Sequence, residues 1–418
     1  MPSSPQPPPS SHDTQFPDPE PYLPPARTGL ALSAALSTHG QLALLMLMPS
    51  LPALARELDA SAAAVQLTYV MYLAAFAAAL PVWGVVLERH GRRSTLFSGL
   101  AIAGGGCVLG AHAASLETLL IARALQAFGT SCSLIVARAT MRDDFKGDRL
   151  ARRLFLSGTA LGGVSATIPL IGGLVHETLG WRAGFSLTFL VTAALGAWSL
   201  SALPNAPATA RASSPWRVAC AALLRDRAYR TLVLATGAVH AAHAAFVVGS
   251  PAILVVHLGL EPIASALHVT GAGAGYVLGG VLAERGVAGT TPRTKALVGL
   301  LLIVAGATTQ LTLVLVSGMD LGVLATSTAL FAMGQGIFMP TSTAAALERA
   351  DAHPGLGVAV QGFVQMGLGG ALGALAVGAV QSASTVLAVP IVVAGGAGVA
   401  IALFVANLAH WRNTLGER

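Results

Sequence analysis

Glu88, Arg89, Arg92 and Arg93 crowd into six residues of the stretch GVVLERHGRRSTL, in a chain that is only 10% charged. A carboxylate among guanidiniums at an apolar boundary is partly desolvated, so its ion pairs can bias a conformational equilibrium more than exposed pairs do. Few other side chains here can do chemistry. His240 and His243 are three residues apart and share a helix face, and imidazole is the side chain whose unperturbed pKa suits proton carriage near neutrality. His39 stands close to Gln41. Arg123 and Gln126 lie three apart, a cation beside an amide that can satisfy its donors. All 18 Asp and Glu residues fall in tails, loops or the ends of apolar stretches. That distribution argues against an integral membrane enzyme, which would want buried carboxylates or a His/Asp metal cluster. No phosphate-cradling loop is visible, which disfavours ATP as an energy source. No catalytic residue, metal or cofactor is expected.

The elements that must position these groups are set by lipid. The chain has 418 residues, 54% of them hydrophobic, 47 of them glycine, with a mean hydropathy of +0.70. Soluble chains carry roughly a quarter charged residues. A net charge of +6 is too dilute for a nucleic-acid footprint. Cys107, Cys132 and Cys220 show no disulfide or metal spacing. About 20 apolar residues cross a bilayer, and twelve stretches qualify: 30–53, 65–87, 94–113, 117–140, 154–175, 183–203, 231–256, 263–283, 296–316, 321–347, 355–380 and 385–408. The abundant glycine suits close helix contacts in lipid.

Basic residues set the orientation. With the N-terminus inside, 20 of the 24 Lys and Arg fall on the cytoplasmic side; only Arg56 and Arg182 lie opposite, while Arg123 and Arg138 fall within spans. The positive-inside rule therefore places both termini in the cytoplasm. Arg138, near the inner end of its span, reads as a snorkelling topological residue. The expected organisation is a Pro- and Ser-rich cytoplasmic tail (1–29), a six-helix bundle (30–203), a polar cytoplasmic linker (204–230), a second six-helix bundle (231–408) and a short tail (409–418). The tail lacks a basic region followed at once by an apolar core, so no cleaved signal peptide is expected. Gly84-Val-Val-Leu-Glu88-Arg89 recurs as Gly280-Val-Leu-Ala-Glu284-Arg285 at the equivalent point of the second half, the internal symmetry of a transporter built from repeats.

GVVLERHGRR resembles the loop signature of the major facilitator superfamily, G-x-x-x-D-R-x-G-R-R, with Glu88 in place of Asp. RALQAFG (Arg123, Gln126, Gly129) resembles its span-four pattern, with Ala127 for the first Gly. IPLIGG (Pro169, Gly172, Gly173) resembles the end of the span-five antiporter motif, with Ile168 for the usual preceding Gly, and GWRAGF resembles the turn into span six. MPSLPAL and FVQMGLGGALGAL are similar to the bicyclomycin/chloramphenicol-resistance branch of twelve-span drug:proton antiporters.

That resemblance implies an all-α integral membrane protein with twelve transmembrane helices in two pseudo-symmetric six-helix bundles. It implies a monomeric secondary transporter of a bacterial inner membrane, exporting small amphiphilic drugs or metabolites in exchange for protons by alternating access. Gly84, Glu88, Arg89, Gly91, Arg92 and Arg93 would form a conformational latch, with the two glycines allowing close packing and a backbone bend. Pro169, Gly172 and Gly173 would kink span five and seal the cavity. The branch usually carries an acid in span one, but its place is taken by Leu45. Proton coupling would then pass to Arg123, Gln126, His39, His240 or His243, or the protein would be an uncoupled or differently coupled carrier of a small metabolite such as a sugar or amino-acid derivative. A non-transporting sensor would want a sizeable extramembrane domain, and none is visible. Candidate groups lining a substrate cavity between the bundles are Gln41, Tyr69, Tyr72, Phe76, Gln335, Gln361 and Gln365, with Trp83 nearby. Without a buried carboxylate, such a pocket favours neutral or weakly anionic amphiphiles.

Overall fold

A computed structural model describes residues 27–203, 216–251, 259, 262–285, 290–317, 321–380 and 388–405, and every regular element among them is helical. In chain order these are α1 (Arg27–Leu45), a 3-10 turn (Met48–Ser50), α2 (Leu51–Glu57), α3 (Ala62–Ala111), α4 (Leu116–Asp144), α5 (Gly147–Leu179) and α6 (Trp181–Ala202). The second half holds α7 (Trp216–Arg225), α8 (Arg227–Pro251), α9 (Pro262–Arg285), α10 (Pro292–Ser317), α11 (Leu321–Arg349), α12 (Pro354–Val380) and α13 (Ala388–Val405). Among the described residues seven helical segments are long and apolar enough to cross a membrane by length and composition alone. One of the seven, in α3, holds two crossings. With α8, α9, α11 and α13 the spans number twelve, as expected. Most of the N-terminal tail, the first part of the linker and the C-terminal tail lie outside the described residues.

Local chemistry sets the helix boundaries. The Ser61 and Ser115 side chains accept from the backbone N–H of Ala64 and Thr118, at 3.1 and 3.2 Å, and so cap α3 and α4. Proline opens α9, α10 and α12, where its missing N–H costs nothing. The expected turn between spans two and three shrinks to one residue. Gly91, at φ 78°, is the sole non-helical position in α3, a conformation that glycine adopts without steric penalty. The chain reverses there: Trp83, eight residues before, donates to the Phe128 carbonyl of α4 at 2.7 Å, and Gly99, eight residues after, packs on Cys132 of the same helix. Gly180, at φ 81°, joins α5 to α6 in the same way.

Two features depart from the sequence expectation. Span one is not one continuous helix: α1 stops at Leu45, and the chain resumes through the 3-10 turn into α2. The expected linker, 204–230, also carries regular structure. Its end folds as α7, which buries Ala219 and Leu223, four apart, against the core of the second half.

The halves repeat each other in how they pack. In the first, Gly99 and Gly106 of α3 lie against the α4 backbone, and Gly129 of α4 lies against Ala103. In the second, Gly299 and Gly306 of α10 lie against α11, and Gly334 answers against Ile303. Where lipid removes the hydrophobic drive between helices, such backbone approach supplies van der Waals contact. Large apolar side chains face outward instead, with Leu170 and Leu179 each 74% exposed, as a lipid-facing surface requires. The core of the first half runs on into Ala344, Leu347, Val358 and Ala359 of the second, so the halves meet through α11 and α12.

Candidate functional site

The halves are held together at the arginine-rich end. Gly84 of α3 abuts α12: a side chain there would come within 3.0 Å of the Gly355 carbonyl and overlap Ala359. This close approach lets half-buried Glu88 reach the first turn of α12, where it accepts from the Leu356 N–H at 3.1 Å. The first turn of a helix offers unsatisfied N–H groups and a partial positive charge, so a carboxylate suits it. On α11, Glu348 caps the other half in the same fashion, accepting from the Gly147 N–H that begins α5. Three ion pairs join the halves among the described residues. Buried Arg142 meets Asp351, Lys146 meets Asp351 at 3.2 Å, and Lys295 of α10 meets Asp148 at 3.0 Å. Arg142 also donates from Nε to the Leu347 carbonyl at 3.2 Å. Burial tends to raise the Asp351 carboxyl's pKa, but Lys146 and Arg142 outweigh that and hold it below the ordinary carboxylate value.

This arrangement corrects the expected latch in one respect. Among the described residues Glu88 pairs with no arginine; its partner is a helix terminus. Arg92 instead pairs with Asp143 of α4, Arg93 lies over the Phe97 ring at 6.0 Å, and Arg89 is exposed.

A second polar centre is buried inside the first half. Arg123, 1% exposed, donates from Nη1 to the Ala43 carbonyl at 2.9 Å and to Gln126 Oε1 at 2.5 Å, and from Nη2 to the Leu44 carbonyl at 3.3 Å. Because α1 ends at Leu45, those carbonyls have lost their helical partners. Arg123 therefore caps the broken span, and the negative end of the helix dipole takes the place of a counter-ion. Tyr72 lies under the guanidinium, 4.3 Å from ring centre to Cζ, and hydrogen-bonds the Gly40 carbonyl and Thr130 at 2.8 and 2.7 Å. Gln126 donates to Cys107 Sγ at 3.2 Å. Leu45, where the resemblance leads one to expect an acid, is the last residue of α1. His39 engages both ring nitrogens, with Ser133 and with Thr192, each at 3.0 Å, and so ties spans one, four and six together. A small cleft lined by Ala43, Met46, Leu47, Gly184, Phe185 and Thr188 opens beside Arg123 and Gln126. Gly172 packs on the Met46 carbonyl just past the break in span one, and a Cβ at Gly173 would come into ordinary contact with Pro49. Pro169 is one turn earlier on α5.

The third centre lies between the halves. Arg138 of α4 donates to Gln365 Oε1 of α12 from both terminal nitrogens, at 3.4 and 3.5 Å. It is thus a junction residue and does not snorkel to the headgroups. One turn along α12, Gly369 packs on the His240 ring of α8. His243 is half-buried on the same helix. Gln361, fully buried, donates to Thr343 at 3.2 Å.

The cavity candidates therefore divide. Gln361 and Gln365 lie at the junction on one face of α12. Tyr72 and Phe76 are core residues, with Phe76 packed on Gly40, and Trp83 is buried against α4. Gln335 is buried on α11, while Gln41 and Tyr69 are partly exposed. Sequence reasoning missed Arg142, Lys146, Glu348 and Asp351 as gate residues. The signal was the run of charges closing span four together with the acids of ERADAHPG before span eleven.

A family model described as the Major Facilitator Superfamily matches residues 32–374. A chloramphenicol resistance protein of Pseudomonas aeruginosa is 35% identical over 159 residues, 37% of each chain. The multidrug resistance protein MdtL of Escherichia coli is 30% identical over 221 residues, 52% of this chain and 55% of its own. An uncharacterised transporter of the same superfamily from Bacillus subtilis, YdgK, is 27% identical over 237 residues, 55% of this chain and 59% of its own. The matches thus span between about a third and three fifths of these relatives' length. The fold is that of the proton:xylose symporter XylE, with a TM-score of 0.74 at 11% identity over 91% of this chain and 95% of that one. It is equally that of the transporter FucP in its outward conformation, with a TM-score of 0.69 at 15% identity over 91% and 99%. Twelve helices in two matching halves and a family match across most of the length lead to one conclusion: the chain belongs to the Major Facilitator Superfamily.

Proposed function

We propose that this protein is a secondary active transporter that exports small amphiphilic drugs or metabolites in exchange for protons, by alternating access. The observation that carries the reading is the gate at the arginine-rich end. Its closure depends on two carboxylates placed on helix N-termini of the opposite half and on three ion pairs, contacts that can all be exchanged for water as the halves rock apart. Family members are transporters rather than enzymes, and the named drug-resistance relatives support export. By the positive-inside rule the gate faces the cytoplasm, as do both termini, so the closed gate corresponds to an outward-facing state. The protein would reside in a bacterial inner membrane as a monomer.

Coupling is assigned to the His240/His243 pair. His39 has both nitrogens engaged within one bundle, and Arg123 with Gln126 holds the break in span one, whereas His240 packs on α12 one turn from the Arg138–Gln365 junction of the halves. Pro169, Gly172 and Gly173 would seal span five against span one. A second reading keeps support from Leu45: with no acid there, the protein would be a carrier without proton exchange. Proton flux in proteoliposomes under an imposed pH gradient separates the two readings, using a panel of neutral and anionic antibiotics on the parent and on His240→Ala/His243→Ala. Substrate-triggered proton movement lost in the double variant is the expected result. Substrate movement without proton movement in either protein overturns coupling.

A further inference from the structure

Arg138 lies at the junction of the halves with no carboxylate partner among the described residues. Its bonds there reach a neutral amide at 3.4 and 3.5 Å, beyond the usual length of an N–H···O bond. Gln365 spends its oxygen on Arg138, and its Nε2 is a buried donor without a partner in a side chain only 1% exposed. Buried polar atoms are almost always satisfied, so an orphaned donor beside a half-satisfied guanidinium marks a place where something else binds. One turn earlier on the same face Gln361 leaves its Oε1 unpartnered, but the only formal charge at this point among the described residues is the guanidinium of Arg138. His240 of α8 packs at Gly369, one turn from Gln365. No Asp or Glu lies mid-span anywhere in the sequence. A guanidinium with donors to spare beside an orphaned amide N–H, in a place without negative charge, suits a planar oxyanion that a guanidinium grips through two bonds.

We infer that the junction of Arg138 and Gln365 seats an anionic group, a carboxylate or a comparable oxyanion, on the transported molecule. This rests on the transporter reading and narrows its substrate class. The anion inserts between guanidinium and amide, takes donors from both, and loosens the long Arg138–Gln365 bonds that join α4 to α12. Binding and the relation of the two halves are thereby linked through one pair of side chains. A lysine would keep the charge but not the fork, so Arg138→Lys and Arg138→Gln separate charge from geometry.

The test is equilibrium binding to the purified full-length protein at pH 7, read by ligand-induced shifts of the unfolding midpoint and by equilibrium dialysis. The probes are matched pairs, 2-naphthoate with 2-naphthamide and nalidixate with its amide. The parent should bind each acid at least tenfold more tightly than its amide. Arg138→Lys should retain part of that preference, and Arg138→Gln should bring the ratio to about one while still binding the amide. Monodispersity and an unfolding midpoint for each variant establish that it is folded. Equal binding of acid and amide by the parent overturns the inference, as does a preference retained in Arg138→Gln, or no binding of either acid by the folded parent. The transport reading fails separately, when proteoliposomes move neither the neutral nor the anionic compounds. Movement of neutral compounds alone sinks the anion site and leaves the transporter standing.

Discussion

Arg123 and Arg138 sit on the same helix, fifteen residues apart, and their environments give them different work. Arg123 has three acceptors from its own half, two of them carbonyls exposed by the end of α1. Arg138 has one amide, supplied by the other half. Removing the first should therefore act on stability. Arg123→Gln strips two carbonyls and Gln126 of their donor, and a buried group left unsatisfied costs about 1–3 kcal/mol. The expected result is an unfolding midpoint in detergent lowered by several degrees, with His39→Ala acting in the same direction because it cuts links to Ser133 and Thr192. Neither change should abolish substrate-triggered proton movement in the fraction that folds; its loss in folded His39→Ala would return that histidine to the coupling path. The sequence made Arg123 and Gln126 legible as a pair, because three residues on a helix fix their adjacency. It could not distinguish Arg138 from a snorkelling arginine. That distinction depends on the rotation of α4 against α12, and the two partners are 227 positions apart.

Apolar length and the loop motif carried most of the elements. Stretches of some twenty apolar residues can only be helical in lipid, and Gly91 was readable as a bend from its place between arginines. The break in span one was not legible, because its cause is tertiary: Arg123 of α4 donates to the carbonyls that end α1, and Gly172 of α5 leaves room for Met46. At the gate, Gly84 is the element-level hinge of closure, since any Cβ meets Ala359 and Gly355. Gly84→Val should push α3 from α12 and remove Glu88 from the α12 N-terminus. A single cysteine placed at the inner end of α12 should then label with a membrane-impermeant maleimide from the cytoplasmic face several-fold faster than in the parent. Unchanged labelling would mean that the gate closes without this contact.

Across the whole molecule, the ion pairs that join the two halves use charges whose sequence pattern reads as topological. Arg142 and Asp351 lie 209 positions apart, so nothing local announces their pairing. Asp351 also sets a pH expectation. Its carboxyl is held below the ordinary value in the closed gate, so its contribution is complete above the free value near ~3.9 and fades as pH falls through the lower, closed-state value. Asp351→Asn should therefore widen the distance between spin labels on the inner ends of α4 and α12, measured by pulsed electron resonance. The difference from the parent should be equal at pH 5 and pH 8 and shrink only below about pH 4. A difference already shrinking between pH 6 and pH 5 would show that the gate ion pair senses protons itself.

The one-residue bend at Gly91 reaches beyond transport, to how the protein is made. With no loop between them, the second and third crossings would emerge as one helical hairpin whose arms enter the bilayer together. The Arg92–Asp143 pair then gives the next segment to emerge a fixed place on that hairpin. Biogenesis of the first bundle would thus proceed in a defined order around a three-helix seed, and a fault at Gly91 would be felt as low yield in the membrane before any defect in turnover could be measured.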